Sequence, residues 1–274
     1  MSLRVTASEL GVAGNQALNR ANHLNSRSME QLATGRRINS AKDDAAGLGV
    51  SVNLENQHRG SRIAMRHVED GLSMLSVAEG AAGNVSDIVK RMRELAVQGS
   101  SEILDSTERA YLQDEFSQLE EQITDIVETT IFNSTKLVDG NLPTLDVQVG
   151  ANNSTADRVT INFVDLSLTA LLGGTHDISS LSGAQDSISD IDTALNRVSQ
   201  ARSTLGAGIN RLDSVIHTNE NYGQSMVSAE SKITDADYAR ETAEMAKAQI
   251  IMQTNMAGRA QARTSAQSVL SLIG

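Results

Sequence analysis

The sequence predicts a mainly α fold: an elongated antiparallel helical bundle or coiled coil formed by both chain ends, with a small β-hairpin region in the middle of the chain. Three observations carry this expectation. Two long tracts of apolar residues, one on each side of the centre, step by three and four. Between them, over about residues 131–172, the apolar period changes to two. Aromatic residues make up only 2% of the 274. Leu, Ile, Val, Met and Ala must therefore fill any core, which suits thin helix–helix seams better than a thick globule.

Each element follows in order. Over residues 5–33, Leu10, Ala13, Ala17, Ala21, Leu24 and Leu32 recur at helical spacing. Gly35 then stands where a helix end needs the left-handed backbone. Ser40 with Asp43 three residues on has the spacing of a capping box, and Asp43 and Asp44 suit the positive end of a helix dipole. A helix is expected from about 41 to 98, roughly 85 Å long at ~1.5 Å per residue. Its seam reads Val68, Leu72, Leu75, Ala78, Ala82, Val85, Val89, Met92 and Ala96. Gly99, Ser100 and Ser101 interrupt it. Asp105 with Glu108 predicts a second cap, opening a helix to about Glu128.

Leu145, Val147 and Val149 alternate with polar residues, as do Val159, Ile161 and Phe163. These runs read as strands joined through Gly150-Ala-Asn-Asn, and Gly173 and Gly174 close the segment. From about 185 the heptad returns through Ile188, Ile191, Leu195, Val198, Leu205, Ile209, Leu212 and Ile216. Arg202 occupies one seam position, where its stem packs and its charge reaches water. The last stretch carries a narrow stripe of Tyr238, Met245, Ala248, Met252, Met256, Ala266, Leu270 and Ile273. Helices with so little apolar surface are marginal alone in water, so both chain ends are expected to gain order on assembly. The expected self-assembly residues are Leu10, Ala13, Ala17, Leu24, Met245, Met252, Leu270 and Ile273.

Composition excludes several function classes. The formal net charge of −11 argues against nucleic-acid binding, which needs a basic footprint. No apolar run approaches the ~20 residues of a membrane helix. No metal or cofactor is expected. The five histidines, His23, His58, His67, His176 and His217, lack ligand spacing, and no HExxH, P-loop, GxSxG or GxGxxG occurs. The chain therefore reads as no enzyme. The absence of cysteine suits an extracellular protein that avoids stray disulfides. No apolar leader core is read near Arg4, so export is expected without a cleaved signal.

Glu30–Ser51 contains RINSAKDDAAGL, Arg37 to Leu48. It resembles the signature segment of bacterial flagellins almost letter for letter. KRMRELAVQ (Lys90–Gln98), TIFNSTKLVDG (Thr130–Gly140), VQVGAN (Val147–Asn152) and the ending QSVLSLIG from Gln267 resemble further family landmarks, in the family's order. The opening MSLRVTASELGVAGNQALN departs from the INTN-type start common in flagellins. The short middle leaves no room for the family's large variable outer domains.

The resemblance implies a terminal coiled-coil domain of residues 1–40 plus 235–274. It implies a helical rod domain of 41–234 carrying the β-hairpin region. It implies a structural subunit that polymerises as an open helical homopolymer into the flagellar filament, outside the cell, after export through the flagellar type III channel. The implied partners are further copies of itself, an export chaperone, hook-junction and filament-cap proteins, and host flagellin receptors. A Toll-like receptor 5 contact would fall on Arg91, Leu95 and Gln98, with Glu115 on the next helix. The alternatives are a hook–filament junction protein and a coiled-coil signalling or adhesion module.

Overall fold

The computed structural model describes the backbone from Ser2 to Ile273, and the side chains of residues 12–265, 267 and 268. The described elements are helices α1 (Ser2–Thr34), α2 (Ala45–Gly99) and α3 (Ser106–Thr129), strands β1 (Ile131–Phe132), β2 (Thr135–Lys136), β3 (Thr144–Gln148) and β4 (Arg158–Asn162), and helices α4 (Leu168–Leu172), α5 (Leu181–Thr234) and α6 (Tyr238–Ile273). The fold is mainly α with two small antiparallel hairpins, as the periodicities predict. Packing divides the chain into a terminal unit, Met1–Asn56 with Ser225–Gly274, and a central unit, Gln57–Gln224.

In the central unit α2 and α5 run antiparallel. Arg93 pairs with Asp192 at 2.6 Å, Arg202 with Glu79 at 2.8 Å, and Tyr222 meets Gln57 at 3.4 Å. Residue numbers on α2 fall as those on α5 rise. The expected seam is buried: Val68, Leu75, Ala78, Ala82, Val85, Val89, Met92 and Ala96 from α2, with Ile191, Val198, Leu205 and Leu212 from α5. Each fully buried Leu, Ile or Val there contributes about 1.5–3 kcal/mol. Leu72, Ile188, Leu195, Ile209 and Ile216 pack against that core half-buried. Arg202 is exposed, and its fork reaches the Glu79 carboxylate across the two helices.

α3 adds Phe116, Ile123 and Val127 to the same core. Its start carries the expected capping box: Asp105 accepts from the Glu108 N–H, and Glu108 accepts from the Asp105 N–H. β3 and β4 pair with Val147 opposite Val159, and their inward residues Val147, Val149, Val159 and Ile161 are buried. Gly71 lets this hairpin close on the helices. A β-carbon there would lie 3.2 Å from Val147 and 3.3 Å from Leu212.

Three local expectations are corrected. First, α2 starts at Ala45, not near 41. Asp43 does not cap it. Its carboxylate accepts from the Asn39 and Ser40 N–H groups and the Ser40 hydroxyl, closing the preceding turn. Asp44 is the cap, accepting from the Gly47 N–H at 2.8 Å. Second, a further hairpin, β1–β2, turns through Asn133 (φ 45) and Ser134 (φ 67). That is a primed turn made without glycine, so its usual sequence signal is missing. Third, the short helix α4 ends on Gly173 (φ 84), within a stretch read only as strands.

Candidate self-assembly and recognition surfaces

The terminal unit is built around two elbows that bind each other. Gly35 takes φ 69 after α1, as its residue type predicts, and turns the chain toward the α5–α6 corner. There the Arg37 N–H donates to the Thr234 carbonyl at 2.6 Å, and the Ala236 N–H to the Gly35 carbonyl at 3.0 Å. The Arg37 guanidinium donates to the Ile233 carbonyl at 2.7 Å. The Gln31 amide donates to the Arg37 carbonyl at 2.6 Å, and the Tyr238 hydroxyl to that of Leu32. The bonds to Leu32, Ile233 and Thr234 satisfy carbonyls that the ends of α1 and α5 would otherwise leave without partners.

From this knot α1 and α6 run side by side. Ser28 donates to Glu241 at 3.0 Å. Their apolar contact is thin. The buried apolar residues described in this unit are Ala21, Ile38, Met226 and Ala248. Larger apolar groups face outward: Val12, Leu24, Met29, Val50, Val52, Ile250 and Met256 are all exposed.

Of the expected self-assembly residues, Ala13 and Leu24 are exposed, while Ala17, Met245 and Met252 are half-buried. The side chains of Leu10, Leu270 and Ile273 lie outside the described residues. Val12, Met29 and Ile250 were not singled out from the sequence. They fall off the regular stripe, and only an unoccupied outer face gives them meaning.

The expected receptor residues sit at the α2–α3 corner of the central unit. α3 packs back alongside α2, so Arg91 reaches Glu115: Nε and Nη2 donate to the same carboxylate oxygen at 2.9 and 2.7 Å. A third bond from Arg91 goes to Glu94 on its own helix at 3.0 Å. The two carboxylates hold the Arg91 guanidinium protonated above its usual range, the hydrogen bond to Glu115 first. Gln98 is exposed. Leu95 is 1% exposed and packs in the core behind this surface. The structure thus brings Arg91 and Glu115 together in solvent and turns Leu95 inward.

A polar clamp lies further along α3. Glu120 is 5% exposed and accepts the His176 N–H at 2.9 Å. Burial pushes its carboxyl above the usual carboxylate range, against the pull of that hydrogen bond and of the His176 ring. Gln113 binds the same strap, accepting the Ile178 N–H and donating to the His176 carbonyl. The His176 ring meets Asp190 on α5 at 3.0 Å. Glu120 was missed in the sequence because it reads as one of many acids on α3. Its signal was position, four residues after Phe116 on the buried stripe.

The family model for the bacterial flagellin N-terminal helical region matches residues 11–142, and that for the C-terminal helical region matches 188–273. A flagellin of Halalkalibacterium halodurans is 42% identical over 247 residues, covering 90% of this chain and 91% of the relative. A flagellin of Bacillus subtilis is 35% identical over 299 residues, covering 96% and 98%. The crystal structure of Bacillus cereus flagellin superposes with a TM-score of 0.51 at 28% identity, over 56% of this chain and 88% of that one.

Proposed function

Because the chain belongs to the bacterial flagellin family and is a structural subunit of the flagellar filament, we propose that residues 1–40 and 235–274 form the coiled-coil domain through which it polymerises. Residues 41–234 are then the helical rod domain that carries the β-hairpins. One observation supports this most. The terminal unit buries few large apolar side chains of its own and exposes Val12, Leu24, Met29, Ile250 and Met256. Leu10, Ala13, Ala17, Leu24, Met245, Met252, Leu270 and Ile273 are the residues proposed to meet neighbouring copies. A contact repeated without closing a ring gives an open helical polymer.

The finer partners follow from the same reading. An export chaperone covers the apolar C-terminal helix before assembly, since such surface risks aggregation. Hook-junction and filament-cap proteins bound the polymer at its two ends, and the filament lies outside the cell. Among the described residues no helix is long and apolar enough to cross a membrane. The subunit acts mechanically, not as a catalyst. For a host flagellin receptor, the proposed contact is Arg91, Gln98 and Glu115, with Leu95 beneath them fixing the helix.

Electron microscopy after seeding tests the polymer reading. Purified chain should extend filament seeds, and a chain lacking residues 240–274 should not. Extension by the truncated chain would refute the assignment of the terminal domain.

A further inference from the structure

Ile103 is 94% exposed on the α2–α3 loop, the most exposed of the large apolar side chains described. The loop that carries it is braced. Arg109 turns back from α3, donating from Nε to the Gly99 carbonyl at 3.0 Å and from Nη2 to the Ser101 carbonyl at 2.7 Å. The Ile103 N–H meets the Ser101 hydroxyl at 3.4 Å. A fixed loop presenting one apolar side chain has little order left to lose on contact.

Toward the other end of the central unit's stretch of α2 lies an open cavity of 340 Å³, between that helix and the β3–β4 tip. Ile63, Ala64 and His67 line its helical wall, and Ala151 and Asn152 line the tip. A β-carbon at Gly60 would lie 2.8 Å from the Ala151 methyl. Glycine at 60 therefore seats the tip on α2 and shapes the floor. Ile63 is 49% exposed on the wall.

The two ends also differ in charge. Glu102, Asp105 and Glu108 are exposed around Ile103. His67 lines the cavity, and Arg158 is held at its rim by bonds to Gln148 at 3.3 Å and Asn153 at 2.6 Å. Arg158 sets one fixed cation at the rim, beside the Asp157 carboxylate that lies against Gly150, whereas three carboxylates surround Ile103, a difference that favours one copy's end meeting the other's.

We propose that Ile103 of one subunit seats in the cavity between α2 and the β3–β4 tip of the next. The inference rests on the chain being a filament subunit and names the two surfaces of one repeating contact. Ile63 and Gly99 are separated by about 54 Å of helix at 1.5 Å per residue. A knob and a hole so displaced on one unit join copies head to tail, which leaves both outer ends open.

The absence of cysteine gives a clean test. Ile103→Cys combined with Asn152→Cys should yield, after oxidation of filaments, a ladder of covalent multimers on a non-reducing gel, with no ladder from free subunits. Filaments that give no multimers, or dimers only, overturn the proposal while leaving the filament reading intact. Failure of the unaltered chain to extend seeds would strike the filament reading instead. If the double variant forms no filaments, Ile103→Ala decides alone. With its circular dichroism unchanged, its critical concentration for growth should rise about tenfold or more, ~1.4 kcal/mol. A value within about twofold of the unaltered chain overturns the proposal.

Discussion

Arg91 closes a two-pronged bond on a single oxygen of Glu115, bridging α2 and α3 in open solvent at 2.7 and 2.9 Å. Exposed pairs of this kind add little to stability, because water screens them and two long side chains must be held. Arg91→Ala should therefore leave the melting transition of the free subunit almost unmoved. The same change should weaken activation of a flagellin receptor by free subunits at least about tenfold, as loss of an arginine anchor does. Cell-reporter activation with unaltered and variant subunits, set beside their melting curves, checks both halves.

Leu95, one turn further on, behaves in the opposite way. At 1% exposure it belongs to the core, so Leu95→Ala should cost about 2–5 kcal/mol. Urea unfolding followed by circular dichroism measures the loss. Any fall in receptor response of this variant is then to be compared at matched folded fraction.

The start of α2 gives a test that separates two adjacent acids. Asp44 accepts the Gly47 N–H as the helix cap, whereas Asp43 closes the turn before it. Asp44→Ala should cost about 1 kcal/mol of stability. Asp43→Ala should cost at least as much at neutral pH, because it removes the acceptor of three hydrogen bonds, and its loss should flatten the acid limb. The Ser40 hydroxyl bond first, then the Asn39 and Ser40 N–H groups and Arg27, depress the Asp43 pKa against a desolvation penalty. Stability from that group is present above the ordinary carboxylate range and is lost as pH falls through the depressed value. Acid titration of Asp43→Ala beside the unaltered chain measures that slope.

Glu120 runs the other way. Its carboxyl titrates above the usual range because burial disfavours the charge. The folded state holds this proton more tightly than the unfolded chain. Stability should thus fall as pH rises from the ordinary carboxylate value through the raised one, and stay lowered above it. Glu120→Gln keeps an acceptor for the His176 N–H and carries no charge. It should remove that slope and raise stability at neutral pH. Melting temperatures across the acid-to-neutral range would read it, and a variant less stable at neutral pH would count against the assignment.

The thin terminal seam predicts a difference between free and assembled subunits. Trypsin should cut the free chain rapidly at Arg20, Arg27, Arg259 and Arg263, and the same sites should be protected in filaments. Equal resistance in both states would reject ordering by assembly.

The sequence by itself determined the elements whose signal is periodic. The heptads of α2 and α5 name the buried seam nearly residue by residue, because a helix repeats its face every 3.6 residues and the core selects apolar side chains along that face. The alternation of Val147, Val149, Val159 and Ile161 fixes a hairpin for the same reason at period two. The Asp105–Glu108 cap and the Gly35 turn are local and were equally legible. The motifs from Arg37 to Leu48 and Lys90 to Gln98 carried the family. Tertiary structure alone decided what depends on contacts distant in sequence. It chose Asp44 over Ser40 as the cap, since closing the turn before α2 engages Asp43 first. It placed Glu120 inside and Leu95 behind Arg91, because α3 folds back over α2. It set Ile103 in solvent and opened a cavity beside Ile63, because a side chain's exposure depends on which distant segment covers it, and no local pattern encodes that.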